Sequence, residues 1–143
     1  MIKQMPNFKI VILEDDDFYN KLLSRFLKLN LEKLAYPRGI SIEIHSFTSF
    51  LDCKRNLNED VDLLITDYYL NDGYSAPLIF EKLNQRRLNC KVIVMSRLQT
   101  IETSIIPLLD GAIDFVKKNK DSLKKCLFLS EAVMTDKFKF QFQ

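Results

Sequence analysis

Long apolar runs are missing from this chain: no segment approaches the ~18 consecutive apolar residues of a membrane span. The apolar run Ile10–Leu13 stops at a block of acids, which the hydrophobic stretch of a signal peptide would not contain. Cysteine is scarce as well. Cys53, Cys90 and Cys126 are odd in number, far apart and without C-x-x-C spacing. That pattern excludes a disulfide framework and a cysteine-held zinc, and fits reduced, partly buried thiols of a cytosolic protein. The single histidine, His45, stands alone in an alternating stretch and reads as structural. Net charge is only +2, and the basic pairs Arg86-Arg87 and Lys117-Lys118 are too short to mark a nucleic-acid surface. No internal repeat or low-complexity linker occurs. The expectation is a soluble, cytoplasmic protein with no membrane insertion and no direct nucleic-acid contact.

What is present suits one globular domain. A chain of 143 residues, 47% of them hydrophobic, buries roughly 68–70% of its unfolded surface without staples. Phe8–Leu13 is a short β-branched run that suits a strand buried on both faces. Asp16 or Asp17 can cap the helix that follows, in which Phe18, Leu22, Leu23, Phe26, Leu29 and Leu34 recur at helical spacing until Pro37 and Gly39 end it. Ile40–Phe47 alternates with period two, as a strand near a sheet edge does, and Thr48 or Ser49 can cap a short helix through Leu57. Val61–Thr66 is the next strand. The loop Asn71-Asp72-Gly73 and a helix with Leu78, Ile79 and Leu83 follow it. Lys91–Met95 is a fourth strand; Ile101, Ile105 and Leu108 mark a fourth helix, bent or frayed by Pro107. Ala112–Val116 is a fifth strand, and a last helix runs from about Ser122 to Met134. Residues 1–136 form the expected domain and 137–143 a tail.

This alternation implies an α/β fold, a doubly wound five-stranded parallel sheet flanked by five helices. In such sheets the ligand site lies beyond the carboxyl ends of the strands, where strand order reverses. The chemistry-bearing residues sit at those ends: Glu14 and Asp15 after strand one, Asp67 after strand three, Ser96 after strand four, Lys118 after strand five. If strands one and three are neighbours, the three acids converge. Two carboxylates at ~4 Å repel by about 4 kcal/mol at an effective dielectric near 20. Three together need a cation or raised pKa values, and a hard divalent ion with oxygen ligands answers that need. The plainer alternative is that these acids cap helices and terminate strands.

Four segments, in order, resemble a response regulator receiver domain, over Phe8 to about Met134. They are the acidic block after strand one, D-x-x-L-x-D-G from Asp67 to Gly73, Ser96 after I-V-M, and G-A-x-D-F-x-x-K from Gly111 to Lys118. The resemblance implies a flavodoxin-like fold and a Mg²⁺-dependent phosphoacceptor, Asp67. Glu14 and Asp15 match the family's acidic pair, with Asp15 the direct Mg²⁺ ligand and Glu14 acting partly through water; the backbone carbonyl of Tyr69 completes the set. Ser96 matches the switch hydroxyl, Phe115 the switch aromatic and Lys118 the phosphoryl-contacting lysine. A Ser96 bond to the phosphoryl group is worth roughly 1.5–3 kcal/mol. With a lysine contact it approaches the ~5.5 kcal/mol that carries a two-state equilibrium from 1:99 to 99:1.

The resemblance also implies the partners: a sensor histidine kinase or histidine phosphotransfer protein as donor, and a protein target on the face of helix four, strand five and helix five. A second copy of the chain is a further candidate. No effector domain follows within these residues, so the expectation is a stand-alone receiver in two-component signalling. It is a phosphoprotein that assists its own phosphorylation and dephosphorylation rather than an enzyme. Histidine relay within the chain is not expected, since it needs an exposed histidine on a helical bundle.

Three departures stand out. Arg97 follows Ser96, where the family has a small residue; it can crowd the site, add charge or turn to solvent. Asn119 replaces the usual proline after the lysine. Tyr69 is bulky and would shield an acyl phosphate, so slow self-dephosphorylation is expected. Two other readings stay open: a pseudo-receiver adaptor, favoured by Arg97, and a haloacid-dehalogenase-like phosphatase, favoured by D-x-D in Asp15-Asp16-Asp17 but opposed by Tyr19 and the short chain. The tail Lys137–Gln143 alternates with a strand's period and can add to a sheet edge, pack back or stay loose.

Overall fold

The computed structural model describes residues 5–58, 60–70, 73–85, 90–97 and 112–143. Five strands form one parallel sheet in the order β2-β1-β3-β4-β5: β1 Asn7–Leu13, β2 Ser41–Phe47, β3 Leu63–Asp67, β4 Lys91–Ser96 and β5 Ala112–Lys117. Four α-helices lie among the described residues: α1 Asp17–Ala35, α2 Phe50–Arg55, α3 Ala76–Gln85 and α4 Ser122–Lys137. The helix expected around Ile101 to Leu108 falls outside them, as do Asn71, Asp72 and Gly111.

Side chains of β1 alternate between two cores, because successive Cβ atoms of a strand point to opposite faces. Phe8, Ile10 and Ile12 join Leu23, Leu27 and Leu31 of α1 and Cys126 and Met134 of α4 on one face. Val11 and Leu13 join Phe50 and Cys53 of α2 and Ile79 and Phe80 of α3 on the other. Both faces of the sheet are thus covered, which explains why β1, β3 and β4 read as nearly unbroken apolar runs. β2 alternates because it is an edge strand, paired only with β1 among the described strands.

Asp16 caps α1, its side chain accepting from the Tyr19 amide at 3.1 Å, and Ser49 caps α2. The buried stripe of α1 is Asn20, Leu23, Leu27, Leu31 and Ala35. Of the periodic residues read from the sequence, Phe18, Leu22 and Leu29 face solvent instead. Their spacing is equally helical, and only the sheet selects which stripe is covered. A 3₁₀ turn, Tyr36–Arg38, follows α1, and Gly39 leaves it at φ 71°, a conformation glycine adopts without penalty.

The tail is a turn, not a strand. Lys139–Phe142 is 3₁₀, Phe138 is buried and Phe142 packs on the core beneath Arg38, whose guanidinium lies 4.5 Å from its ring centroid. Lys137 anchors the approach by donating to Asn7 O at 3.0 Å and to Asp62 Oδ1 at 2.7 Å. Packing Phe138 and Phe142 against the core removes apolar surface from water, which favours the turn over an exposed extended tail. All three cysteines are free; burial pushes Cys53 and Cys126 up to about 12 and Cys90 to about 11. Among the described residues no helix is long and apolar enough to cross a membrane.

Candidate functional site

Strand order reverses at β1: the chain passes from β1 through α1 to β2 on one side, and from β2 through α2 to β3 on the other. The carboxyl ends of β1 and β3 diverge into loops there and leave a crevice. It holds about 310 Å³ and is lined by Asp15, Asp16, Asp67, Tyr69, Ser96, Arg97 and Lys118.

Parallel register brings the acids together. Leu13 pairs with Thr66, so the next residues of β1 and β3 are Glu14 and Asp67. Oxygens of Glu14, Asp15 and Asp67 lie within 4.8 Å of one another. Asp67 Oδ1 accepts the Tyr68 amide at 3.1 Å, and Asp67 Oδ2 accepts the Lys118 ammonium at 2.9 Å. The same ammonium donates to Glu14 Oε1. Lys118 reaches this point because its own amide donates to Ser96 O at 2.8 Å, continuing the pairing of β4 with β5 one residue further. Ser96 is buried at the same strand end.

The electrostatics are unbalanced. Among the described residues three carboxylates, those of Glu14, Asp15 and Asp67, gather around the Lys118 ammonium, and Glu14 is wholly buried. Burial, opposed by the Lys118 bond and reinforced by the Asp67 charge, pushes Glu14 up to about 7. Burial disfavours the Lys118 ammonium, but its bonds to Glu14 and Asp67 outweigh that and raise its pKa. Buried carboxylates gathered around a single lysine at one strand edge are suited to a further cation. Oxygen-only donors suit a hard one, so the residues fit Mg²⁺.

Arg97 turns outward. Its guanidinium sits 3.6 Å from Asp16 Oδ2, with both side chains largely exposed. It therefore stands at the mouth and does not fill the crevice. Tyr69 is 56% exposed, its ring edge-on to Tyr68 at 4.5 Å, and its backbone bridges to Ser75. Phe115 is half-buried on the α2–α3 face of β5, not in the crevice. His45 lies on edge strand β2, hydrogen-bonded to Glu43.

Two residues that shape the crevice carry no motif. Buried Asn20 donates to Glu14 O and Phe47 O, both at 2.9 Å, and so clamps the ends of β1 and β2. A polar residue on the stripe shared with Leu23 and Leu27 was the signal available in the sequence. Tyr19 lies with its ring centroid 5.0 Å from Lys118 Nζ and its hydroxyl 2.6 Å from Ser122 Oγ. Nothing local announces that meeting of residues about a hundred positions apart.

No family model matches the sequence, and no curated protein matches it. Solved structures do match. The receiver domain of a Francisella response regulator has a TM-score of 0.72 at 17% identity, over 92% of this chain and 99% of that one. A response regulator receiver domain protein from Clostridium thermocellum has 0.71 at 16%, over 93% and 98%. The BeF3-activated receiver domain of DrrB, a Thermotoga maritima response regulator, has 0.68 at 21%, over 89% and 97%. The expected architecture is therefore observed: the chain has the flavodoxin-like fold of response regulator receiver domains.

Proposed function

We propose that this chain is a two-component receiver in which Asp67 accepts a phosphoryl group and thereby alters a protein-binding surface. The observation that carries the reading is the meeting of Asp67, Glu14, Asp15, Ser96 and Lys118 at one crevice, although they come from four strand ends.

In this reading a carboxylate oxygen of Asp67 bonds to phosphorus as the bond from phosphorus to the donor's imidazole nitrogen breaks. The electron pair leaves with the donor, a histidine kinase or phosphotransfer protein. Catalysis is then mainly positioning and charge neutralisation. The Tyr68 amide orients the carboxylate, and Lys118 follows the charge from Asp67 to the phosphoryl oxygens. Glu14, Asp15, Asp67 and the Tyr69 carbonyl would hold Mg²⁺, which when bound neutralises phosphoryl charge. Ser96 donates its hydroxyl to the phosphoryl group, and Phe115 moves into the space it leaves. The surface so altered is that of β5 and α4, where Phe128 is 71% exposed beside Lys124 and Lys125.

The test is incubation with acetyl phosphate and Mg²⁺, followed by intact mass of wild type and Asp67→Asn. One Mg²⁺-dependent phosphoryl adduct, lost in the variant, supports the reading. An adduct that survives Asp67→Asn overturns the assignment of the acceptor. Turnover of a generic phosphate ester would favour the phosphatase instead. No adduct from acetyl phosphate or from a phosphorylated phosphotransfer protein would favour the pseudo-receiver.

A further inference from the structure

We infer that Tyr19 is a positioning residue for Lys118: the face of its ring backs the ammonium and keeps it at Asp67. The kinetic consequence rests on the receiver reading above, whereas the contact itself rests on geometry alone.

Tyr19 is fixed at both ends. Its amide is held by the Asp16 cap at 3.1 Å, and its hydroxyl meets Ser122 Oγ at 2.6 Å. Ser122 is itself buried, at the first position of α4. The ring is thus braced between α1 and α4, with Lys118 Nζ 5.0 Å from its centroid. Carboxylates of Glu14 and Asp67 take hydrogen bonds from the same ammonium.

A lysine has a flexible four-carbon stem and a compact charge, so its placement depends on what surrounds the tip. An aromatic face attracts a cation, most strongly where water is excluded. The Lys118 side chain is only 6% exposed, which meets that condition. Glu14 and Asp67 bond the ammonium, and the ring face meets it as a third neighbour without offering a competing charge. When Asp67 gains a phosphoryl group the carboxylate bonds must be redistributed. The ring contact need not change, so Tyr19 holds Lys118 near the reacting oxygens throughout. Misplacing a group that neutralises charge in the transition state lowers the rate even when the fold is intact.

A purely structural role, in which Tyr19 fills space between α1 and α4, makes a different prediction. The experiment compares wild type with Tyr19→Phe, which keeps the ring, and with Tyr19→Leu and Tyr19→Met, which remove it. Each is made in the native and the Lys118→Met background. Two quantities are read: the rate of Asp67 adduct formation with acetyl phosphate and Mg²⁺, and the proton shift of the Lys118 ε-methylene, which a ring face moves upfield. Loss of the ring should slow adduct formation about tenfold and abolish the upfield shift. Tyr19→Phe should recover most of both. In the Lys118→Met background, removing the ring should change the residual rate by less than about twofold, because coupled residues are not additive.

Equal slowing in both backgrounds would overturn the inference, as would an ε-methylene shift indifferent to the ring. If wild type formed no adduct with acetyl phosphate or with a phosphorylated phosphotransfer protein, the receiver reading would fall. The Lys118 resonance would then decide the contact by itself. Two ring-less variants are included so that poor folding of one does not remove the test.

Discussion

Lys118 Nζ lies 2.9 Å from Asp67 Oδ2 and also bonds the buried carboxylate of Glu14, so one ammonium ties together the ends of β1, β3 and β5. Removing one partner of a buried pair leaves the other uncompensated, at a cost of about 3 kcal/mol or more. Lys118→Met should therefore lower metal-free stability at pH 8 by about 3 kcal/mol, measured by urea unfolding. At pH 5 the loss should be smaller, because Glu14, raised to about 7, then carries a proton. The same loss at both pH values would show that the ion pairing is not its source.

Glu14 gives a pH dependence of its own. Its pKa is 4.5 in the unfolded chain and about 7 when folded. Between those values the folded state holds a proton that the unfolded state has released, so stability falls as pH rises from about 4.5 through about 7. The full difference is on the order of 3 kcal/mol. Metal-free wild type should lose this increment across the window relative to Glu14→Gln. Added Mg²⁺ should restore stability most at the upper end, where the carboxylates are ionised. Parallel pH curves for the two proteins would refute the assignment.

Arg97 and Asp16 form an exposed pair at 3.6 Å, a geometry worth at most about 1 kcal/mol. Arg97→Ala should change stability by less than about 0.5 kcal/mol. Because the side chain stands at the mouth, the rate of adduct formation with acetyl phosphate should change by less than about threefold. A tenfold rise on removing Arg97 would mean that it blocks the crevice.

Asn20 donates to the carbonyls of Glu14 and Phe47 from a buried position. Asn20→Ala should cost about 1–3 kcal/mol, since it strips a buried carbonyl of its partner. It should also weaken Mg²⁺ binding, measured calorimetrically, because Glu14 and Asp15 follow the clamped strand end. Unchanged Mg²⁺ affinity in a destabilised variant would separate the clamp from the site.

Much of this was written in the local sequence. Periodicity and caps are short-range properties, so all five strands, the stop near Gly39 and the caps to within two residues (Asp16 or Asp17, Thr48 or Ser49) are legible there, and the structure selects Asp16 and Ser49. The acids and Lys118 could be placed together because parallel α/β chains put every strand-to-helix loop on the carboxyl edge of the sheet. Three matters were settled only by packing. Phe18, Leu22 and Leu29 share helical spacing with the buried stripe of α1, and the sheet alone chose Leu23, Leu27 and Leu31. The tail's strand period lost to the burial of Phe138. Arg97 could crowd the site, add charge or turn to solvent, and its exposed side chain lies beside Asp16 at the mouth of the crevice.

Sequence by itself thus placed Glu14, Asp15, Asp67, Ser96 and Lys118 at strand ends, since strand polarity follows from the alternation of elements; the adjacency of β1 and β3 that brings the acids together came from the sheet. Tertiary structure decided how they are held: Asn20 beneath Glu14, and Tyr19 behind Lys118. Those contacts depend on how helices α1 and α4 settle on the sheet and on each other. That is a property of summed packing, not of spacing along the chain.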